Sequence, residues 1–254
     1  MTETIATTRP APHVALIELA NPPSNALNDA TRGALLAALE GLDGDLDLRA
    51  LVLTGAGGIF CAGDDLREVA ALNHRMKHRL AGFAGLFARI ESFRVPVIAA
   101  MEGAAMGGGL ELALCCDIRL ASPDARFAAA GVNVGLMASV HRLPRLIGAA
   151  RAKAMLLTGR AVDAETALAY GLVTEIHPAR TLRQAALDLA RHIATRAPLS
   201  VEAAKRQIGR AIDIAPAEAQ ASQDEDLDRL LASADHREAV AAFLAKRQPI
   251  FTRS

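Results

Sequence analysis

Ala99-Ala100-Met101-Glu102-Gly103-Ala104-Ala105-Met106-Gly107-Gly108-Gly109-Leu110-Glu111-Leu112-Ala113-Leu114-Cys115-Cys116-Asp117 is the stretch that decides the fold. Val97 to Met101 is a short apolar run and predicts a buried strand. After a brief turn come Gly107, Gly108 and Gly109, and from Leu110 the apolar residues take helical spacing. Glycines at a strand-to-helix junction let the backbone approach a ligand with no side chain in the way. The first N–H groups of a helix have no partner inside it, and the helix dipole makes that end positive. Such a junction suits a negatively charged oxygen. Glu111 lies one turn into the helix, beside the place where negative charge would collect, and is a candidate acid or base. The same glycines also serve the close packing of a helix on a sheet, so on this stretch alone both readings stand.

A second stretch repeats the pattern. Ala50-Leu51-Val52-Leu53-Thr54 is apolar almost throughout, as a strand covered on both faces would be. Gly55-Ala56-Gly57-Gly58-Ile59-Phe60-Cys61-Ala62-Gly63-Asp64-Asp65-Leu66 follows, with a helical pattern from about Asp65. Two strand–glycine–helix junctions in one domain can each offer a backbone N–H, and two converging N–H groups make an oxyanion hole.

Composition narrows the classes of function. A chain of 254 residues with 52% apolar residues can bury a sizeable core. Lys+Arg and Asp+Glu balance at 28 each, which argues against nucleic acid or an anionic membrane as the main partner. Aromatic residues are 3%, too few to make stacking on bases or sugars central. No run of about twenty apolar residues appears, nor a basic-then-apolar leader pattern, so a cytoplasmic protein is the expectation. Cys61, Cys115 and Cys116 are odd in number with two adjacent, a poor disulfide framework, and read as small buried residues.

Along the chain, residues 1–12 read as a loose arm and Val14 to Leu19 as a strand. A helix starts after Asn28, a good N-cap, with Leu35, Leu36 and Leu39 on its apolar face and Gly41 and Gly44 at its end. Residues 66–93 are helical in composition. They include the basic run Asn73-His74-Arg75-Met76-Lys77-His78-Arg79. His74 and His78 have the i, i+4 spacing of a metal pair, but no third ligand is apparent, so no metal is expected. The run reads as a solvated helix face or as a basic lid over an anionic ligand. Ile118 to Ala121 is a further strand, Pro123 to Leu143 is loop-like, and Gly148 to Gly159 is helical. Asp163 caps a helix that stops at Gly171, and Leu172 to Ile176 is a strand. From Pro178 the pattern is helical, with breaks at Ala197-Pro198, Ala215-Pro216 and Ser233-Ala234-Asp235. Asp235 and Glu238 have capping-box spacing.

Phe60-Cys61-Ala62-Gly63-Asp64-Asp65-Leu66, paired with Gly107-Gly108-Gly109-Leu110-Glu111-Leu112-Ala113 and Cys116-Asp117, resembles the crotonase superfamily, the enoyl-CoA hydratase/isomerase proteins. The resemblance covers nearly the whole chain, through Asn21-Pro22 to Ala26-Leu27, Leu143-Pro144-Arg145-Leu146-Ile147-Gly148, Leu157-Thr158-Gly159, Ala169-Tyr170-Gly171-Leu172-Val173 and Ala242-Phe243-Leu244-Ala245-Lys246-Arg247. In this order these motifs are highly specific. The resemblance implies an α/β fold: a crotonase-like ββα spiral core, placed at residues 1–195, and a helical C-terminal trimerisation region, placed at 196–254. It implies a homotrimer or hexamer, and an acyl-CoA thioester as ligand, with no cofactor beyond the coenzyme A that the substrate carries. The thioester oxygen would accept from the backbone N–H groups of Asp64 and Gly108, which would stabilise an enolate. The backbone of Ser24, Ala26 and Leu27, and that of Ala62, Asp64, Asp65 and Leu66, would hold the nucleotide part. Phe243 and Lys246 would approach the coenzyme A of a neighbouring subunit.

Glu111 matches one of the two glutamates that family hydratases use on water. The other belongs to a Phe-Gly-x-Pro-Glu pattern, which here reads Phe127-Ala128-Ala129-Ala130-Gly131, with Gly131 in the glutamate's position. The following turn is altered too, to Leu136-Met137-Ala138-Ser139-Val140-His141. Asn133, Ser139 and His141 are nearby substitutes, with His141 suited to proton transfer near neutrality. Three functions remain on the sequence. The first is a lyase of the enoyl-CoA hydratase type, with weak hydration or other enolate chemistry. The second is a non-catalytic acyl-CoA binding protein. The third is a CoA thioester hydrolase or decarboxylase.

Overall fold

Alternate residues of the central strands belong to two different apolar layers, and this alternation sets the architecture. The protein is described here by a computed structural model covering residues 4–71 and 76–254, the side chains of 76–80 excepted. Strands β1 (Ile5–Ala11), β2 (Val14–Leu19), β3 (Ala50–Gly55) and β4 (Val97–Met101) lead into a short β5 (Ala104–Met106). After them come β6 (Ile118–Ala121), β7 (Arg126–Ala128), β8 (Val162–Asp163) and β9 (Glu175–Ile176). The larger sheet has the order β1-β2-β3-β4-β6-β9, the smaller β5-β7-β8. In the larger sheet β1 runs antiparallel to β2 and the other pairs are parallel. Residues 5–11, expected in a loose arm, are therefore an edge strand, and the expected strand over 172–176 shrinks to its last two residues.

One face of the sheet presents Ile17, Leu53, Ala99 and Met101 to the main core. Helices α1 (Asp29–Asp43), α2 (Leu66–Ala71), α3 (Met76–Glu91) and α4 (Gly108–Leu114) follow the successive strands. Leu35 and Leu39 of α1, Leu86 and Ile90 of α3, and Leu110 and Leu112 of α4 fill that core. The other face presents Val14, Leu16, Val52, Ile98 and Leu120. It is covered by a later helix through Leu182, Ala186 and Ala190, which recur at helical spacing. Strands buried on both faces read as unbroken apolar runs for this reason.

The connections form a spiral of ββα turns. Each turn has a strand of the large sheet, a short extended piece in a second layer, and a helix. In the first two turns the second piece is a single bridge: Leu27 pairs with Asp64, and Cys61 pairs with Ala105. In the next two it is β5 and then β7, which pair in parallel. Between β7 and β8 lie a 3-10 turn at Ala130–Val134, α5 (Arg142–Ile147) and α6 (Ala149–Thr158), in the region expected as loop and helix. Helix α7 (Ala164–Tyr170) is capped by Asp163, whose carboxylate accepts from the Thr166 N–H at 2.8 Å, and it ends at Gly171 as expected. Asn28 caps α1 in the same way, accepting from the Thr31 N–H at 2.8 Å.

Helix α8 (Ala179–Ala194) is the one that covers the sheet; α9 (Pro198–Arg210), α10 (Pro216–Ala232) and α11 (Ala234–Leu244) follow it. The expected boundary at 195/196 falls in the turn between α8 and α9. Lys205 of α9 reaches Asp117 at 2.7 Å, and Glu202 reaches Arg94 at 2.5 Å, so α9 is tied to the spiral by ion pairs. Ser233, not Asp235, caps α11, accepting from the His236 N–H at 3.0 Å. Asp235 instead accepts from the N–H of Thr252 at 2.8 Å and binds down the C-terminal tail, and Glu238 pairs with Arg247 at 2.5 Å. The expected capping box is thus replaced by two tail contacts. Among the described residues no helix is long and apolar enough to cross a membrane.

Two glycines with opposite surroundings test this packing. A Cβ on Gly109 would stand 2.1 Å from the Cys61 carbonyl oxygen, whereas one on Gly33 of α1 meets nothing within 4 Å. Gly109→Ala is expected to lower stability by about 3 kcal/mol or more, at the upper end of overpacking costs. Gly33→Ala should raise it by about 0.5–1 kcal/mol through helix propensity. Urea denaturation midpoints of the two variants check both.

Candidate active site

Three backbone segments are laced together at one end of the spiral. The Ala62 N–H donates to the Ser24 carbonyl at 3.0 Å, and the Leu27 N–H to the Gly63 carbonyl at 2.7 Å. The Cys61 N–H donates to the Ala104 carbonyl at 2.9 Å, and the Met106 N–H to the Cys61 carbonyl at 3.0 Å. Asn25, buried, fixes the outer edge: its Nδ2 donates to the carbonyls of Ala56 at 3.0 Å and Ile59 at 2.6 Å. The stretches 24–27, 61–64 and 104–108 therefore lie side by side. This brings together Ser24, Ala26, Leu27, Ala62 and Asp64, with Asp65 and Leu66 following directly in the chain.

Glycine makes this approach possible. A Cβ on Gly63, which has a φ of +96°, would stand 2.4 Å from the Met106 carbonyl oxygen and 3.1 Å from the Gly108 nitrogen. A Cβ on Gly108 would stand 3.5 Å from the Asp64 nitrogen. The Asp64 and Gly108 backbones thus lie against each other with no side chain between them. The first helical residue of α4 is Gly108 rather than the expected Leu110.

The Asp64 side chain adds a negative group at this place. Its Oδ1 lies 3.8 Å from Nη1 of Arg32, a residue 5% exposed in its side chain. The guanidinium of Arg32 also meets the Leu27 carbonyl, Asp29 and, at 3.8 Å, Glu68, and stands 4.4 Å over the Phe83 ring. Burial lowers the Arg32 pKa from its usual value, with Glu68 opposing.

Glu111 is 4% exposed. Its Oε2 accepts from the Ser139 hydroxyl and its Oε1 from Nη1 of Arg142. Arg142 turns its Nε and Nη2 to the two oxygens of Glu91, at 2.6 and 2.8 Å. The hydrogen bonds to Glu91 are the largest cause of a raised Arg142 pKa. Of the three nearby substitutes, Ser139 alone is at Glu111. His141 is exposed at the start of α5, and Asn133 donates to the Gly159 carbonyl at 3.2 Å. Gly131 is folded into its own turn: its carbonyl accepts from the Leu136 N–H at 2.9 Å, and a Cβ there would stand 2.9 Å from the Leu136 carbonyl oxygen.

Phe243 and Lys246 stand at the end of α11 and in the turn after it. Phe243 is 83% exposed, and Lys246 has a φ of +53°. The three cysteines are buried, and burial pushes the thiols of Cys61 and Cys116 up to about 12 and raises that of Cys115, so all three stay protonated near neutrality. The basic run over 73–79, with His74 and His78, lies outside the described side chains. Among the described residues no group of three or more His, Cys, Asp or Glu could hold a metal.

Sequence reasoning missed Arg142, Glu91 and Arg32. Arg142 immediately precedes the Leu143-Pro144-Arg145 signature, which was the available signal. Glu91 carries none, because its partner is 51 positions away. Arg32 sits on the buried side of α1, where an isolated cation is rare enough to stand out.

The sequence profile of a family described as enoyl-CoA hydratase/isomerase matches residues 10–254. The 2,3-dehydroadipyl-CoA hydratase of Escherichia coli is 36% identical over 249 residues, covering 94% of each chain. The short-chain-enoyl-CoA hydratase of Clostridium acetobutylicum is 34% identical over 242 residues, covering 92% of each. Among solved structures, an enoyl-CoA hydratase from Bacillus anthracis superposes with a TM-score of 0.97 at 32% identity, over 99% of this chain and all of that one. Agreement this broad, reached on a ββα spiral laced at the glycine junctions the sequence picked out, makes the chain a member of the enoyl-CoA hydratase/isomerase family of the crotonase superfamily.

Proposed function

We propose that the protein is an acyl-CoA thioester enzyme that forms an enolate between the N–H groups of Asp64 and Gly108 and moves a single proton with Glu111. The observation that carries this reading is the close approach of those two nitrogens beside a buried carboxylate on the same helix, α4. The backbone of Ser24, Ala26, Leu27, Ala62, Asp65 and Leu66 holds the nucleotide part of coenzyme A in this reading. The named hydratase activities of the relatives support an enoyl-CoA as one substrate. Between Phe127 and Val140 no residue is charged, and Val132, Val134, Leu136, Met137 and Val140 are exposed, which favours an apolar acyl group.

The chemistry asked of each part is limited. As charge moves onto the thioester oxygen, the two fixed donors stabilise it without having to reorganise, and one such donor is worth about 3 kcal/mol. Glu111 takes the proton of water, or of the α-carbon, and hands it back. With Gly131 in place of the second glutamate, one acid–base group is missing, and such groups contribute about 10²–10⁴-fold each. Lyase activity of the hydratase type is therefore slow in this reading.

A second reading rests on a specific observation. Both oxygens of Glu111 are already engaged, and no second carboxylate comes from Gly131. Decarboxylation of an acyl-CoA that carries a carboxylate on its α-carbon makes the same enolate without a base, as the electron pair of the breaking C–C bond moves into the thioester. It then needs only one proton at the α-carbon. Carbon dioxide release identifies it; free-thiol release identifies thioester hydrolysis; binding without turnover leaves an acyl-CoA binder.

Assembly belongs to the same proposal. Leu227, Leu231, Val240, Phe243 and Leu244 are exposed on α10 and α11, which favours a homotrimer or a hexamer in which Phe243 and Lys246 reach a neighbour's coenzyme A. Sedimentation equilibrium is expected to give a trimer or hexamer at micromolar concentration; a stable monomer overturns this. In steady-state assays, crotonyl-CoA hydration should run at least about a hundredfold below a two-glutamate relative. Gly108→Ala should fold normally, since its methyl meets only ordinary contacts, yet fill the oxygen's place and lower turnover by about 10²-fold or more. Wild-type turnover in folded Gly108→Ala would place the oxyanion elsewhere.

A further inference from the structure

Glu111 is held more tightly than a lone acid–base residue requires. Arg142 meets one carboxylate oxygen, and its remaining nitrogens grip Glu91 through two bonds of 2.6 and 2.8 Å. Two parallel N–H···O bonds fix the plane of a guanidinium. Glu91, 43% exposed in its side chain at the end of α3, thereby sets the angle at which Arg142 meets Glu111. The Phe87 ring, 5.6 Å from the guanidinium carbon, gives Arg142 an apolar wall.

Ser139 meets the other oxygen. It is 4% exposed and has a φ of +59°, a conformation uncommon for serine, and its own carbonyl accepts from the Leu143 N–H at 3.1 Å to start α5. The start of α5 thus holds the hydroxyl against Glu111. Since the Ser139 hydrogen is given to Glu111, the lone pairs of Oγ point elsewhere and can accept from a water. A neutral hydroxyl holds a water without taking its proton.

Resting on the reading of Glu111 given above, we infer that Ser139 is a catalytic residue that holds the attacking water in place of the carboxylate absent at Gly131, and that Glu91 is a positioning residue acting on Glu111 through Arg142. In hydration, the water oxygen bonds to the β-carbon and the double-bond pair becomes the enolate. The water proton passes to Glu111, which then delivers it to the α-carbon as the thioester carbonyl re-forms. Ser139 fixes the water oxygen throughout, with no net change at its hydroxyl.

Two reactions on the full-length protein separate these roles. Hydration of crotonyl-CoA needs the water; exchange of the α-proton of butyryl-CoA in D2O needs Glu111 and the two N–H groups but adds no water. Ser139→Ala and Ser139→Gly, the latter suited to positive φ, should each lower kcat for hydration by about 100-fold with KM nearly unchanged. Because Arg142, fixed by Glu91, still orients Glu111, they should lower α-exchange by less than about fivefold. Glu91→Gln should lower both reactions alike, by about tenfold in kcat, with KM and melting temperature unchanged, because a misplaced Glu111 serves neither. Parallel loss of exchange and hydration in the Ser139 variants would overturn the water-holding role. So would unchanged hydration, or a natural chain that exchanges the α-proton but adds no water. Unchanged kcat in Glu91→Gln would overturn the positioning role. Full exchange in Glu111→Gln would sink the underlying reading of the site instead.

Discussion

The structure depends on how closely α4 is pressed onto the chain at Cys61. A Cβ at position 109 would stand 2.1 Å from the Cys61 carbonyl oxygen, and one at position 63 would stand 2.4 Å from that of Met106. Nothing but hydrogen fits at either place. This contact lets the Cys61 and Met106 backbones pair, which closes the second layer of the spiral. It also brings the Asp64 backbone against that of Gly108. The same absence of side chains serves packing and, in the proposed function, the oxygen site. Of the two readings of the glycine triplet, helix packing is met at Gly109, and ligand approach at Gly108 belongs to the proposed function.

Much of this was legible in the sequence because the signals are local. Val97 to Met101 is apolar at every position, Asn28 and Asp163 precede helical patterns, and prolines mark the starts of α9 and α10. The reading went astray where a long-range partner decides. Residues 5–11 carry few apolar side chains, but β2 offers them a ladder, so they pair as an edge strand. Ser233 outcompetes Asp235 as a cap because Asp235 is taken by the tail at Thr252 and Arg253. At the site, the glycines and Glu111 were readable from spacing. The choice among Asn133, Ser139 and His141 was not, since it turns on the path of a loop in which Gly135 and Ser139 both take positive φ.

Two carboxylates of the candidate site have a guanidinium neighbour on another element: Asp64 has Arg32 of α1, and Glu111 has Arg142 of α5. A carboxylate close to a developing enolate raises its energy, and the low dielectric of a buried site magnifies this. Arg32 offsets the Asp64 charge. The buried thiols of Cys61 and Cys116 remain neutral and add no competing charge.

Stability does not explain the Glu111 cluster. Removing a carboxylate and a guanidinium from water costs several kcal/mol per ion, and their mutual attraction recovers this only in good geometry. Apolar residues of similar volume often give an equal or more stable core. Glu111 lies on α4 between Leu110 and Leu112, both fully buried, so an apolar side chain would suit its surroundings. The chain instead keeps a carboxylate there and supplies Ser139, Arg142 and, outside the core, Glu91 to satisfy it. Ser139 adopts a sparsely populated backbone conformation to do so, and such conformations persist where the surrounding structure over-determines them. A cluster that burial alone does not favour is better accounted for by the need to fix one carboxylate in orientation. In the proposed function that need is sharpest, because Gly131 leaves Glu111 without a second carboxylate to share the work.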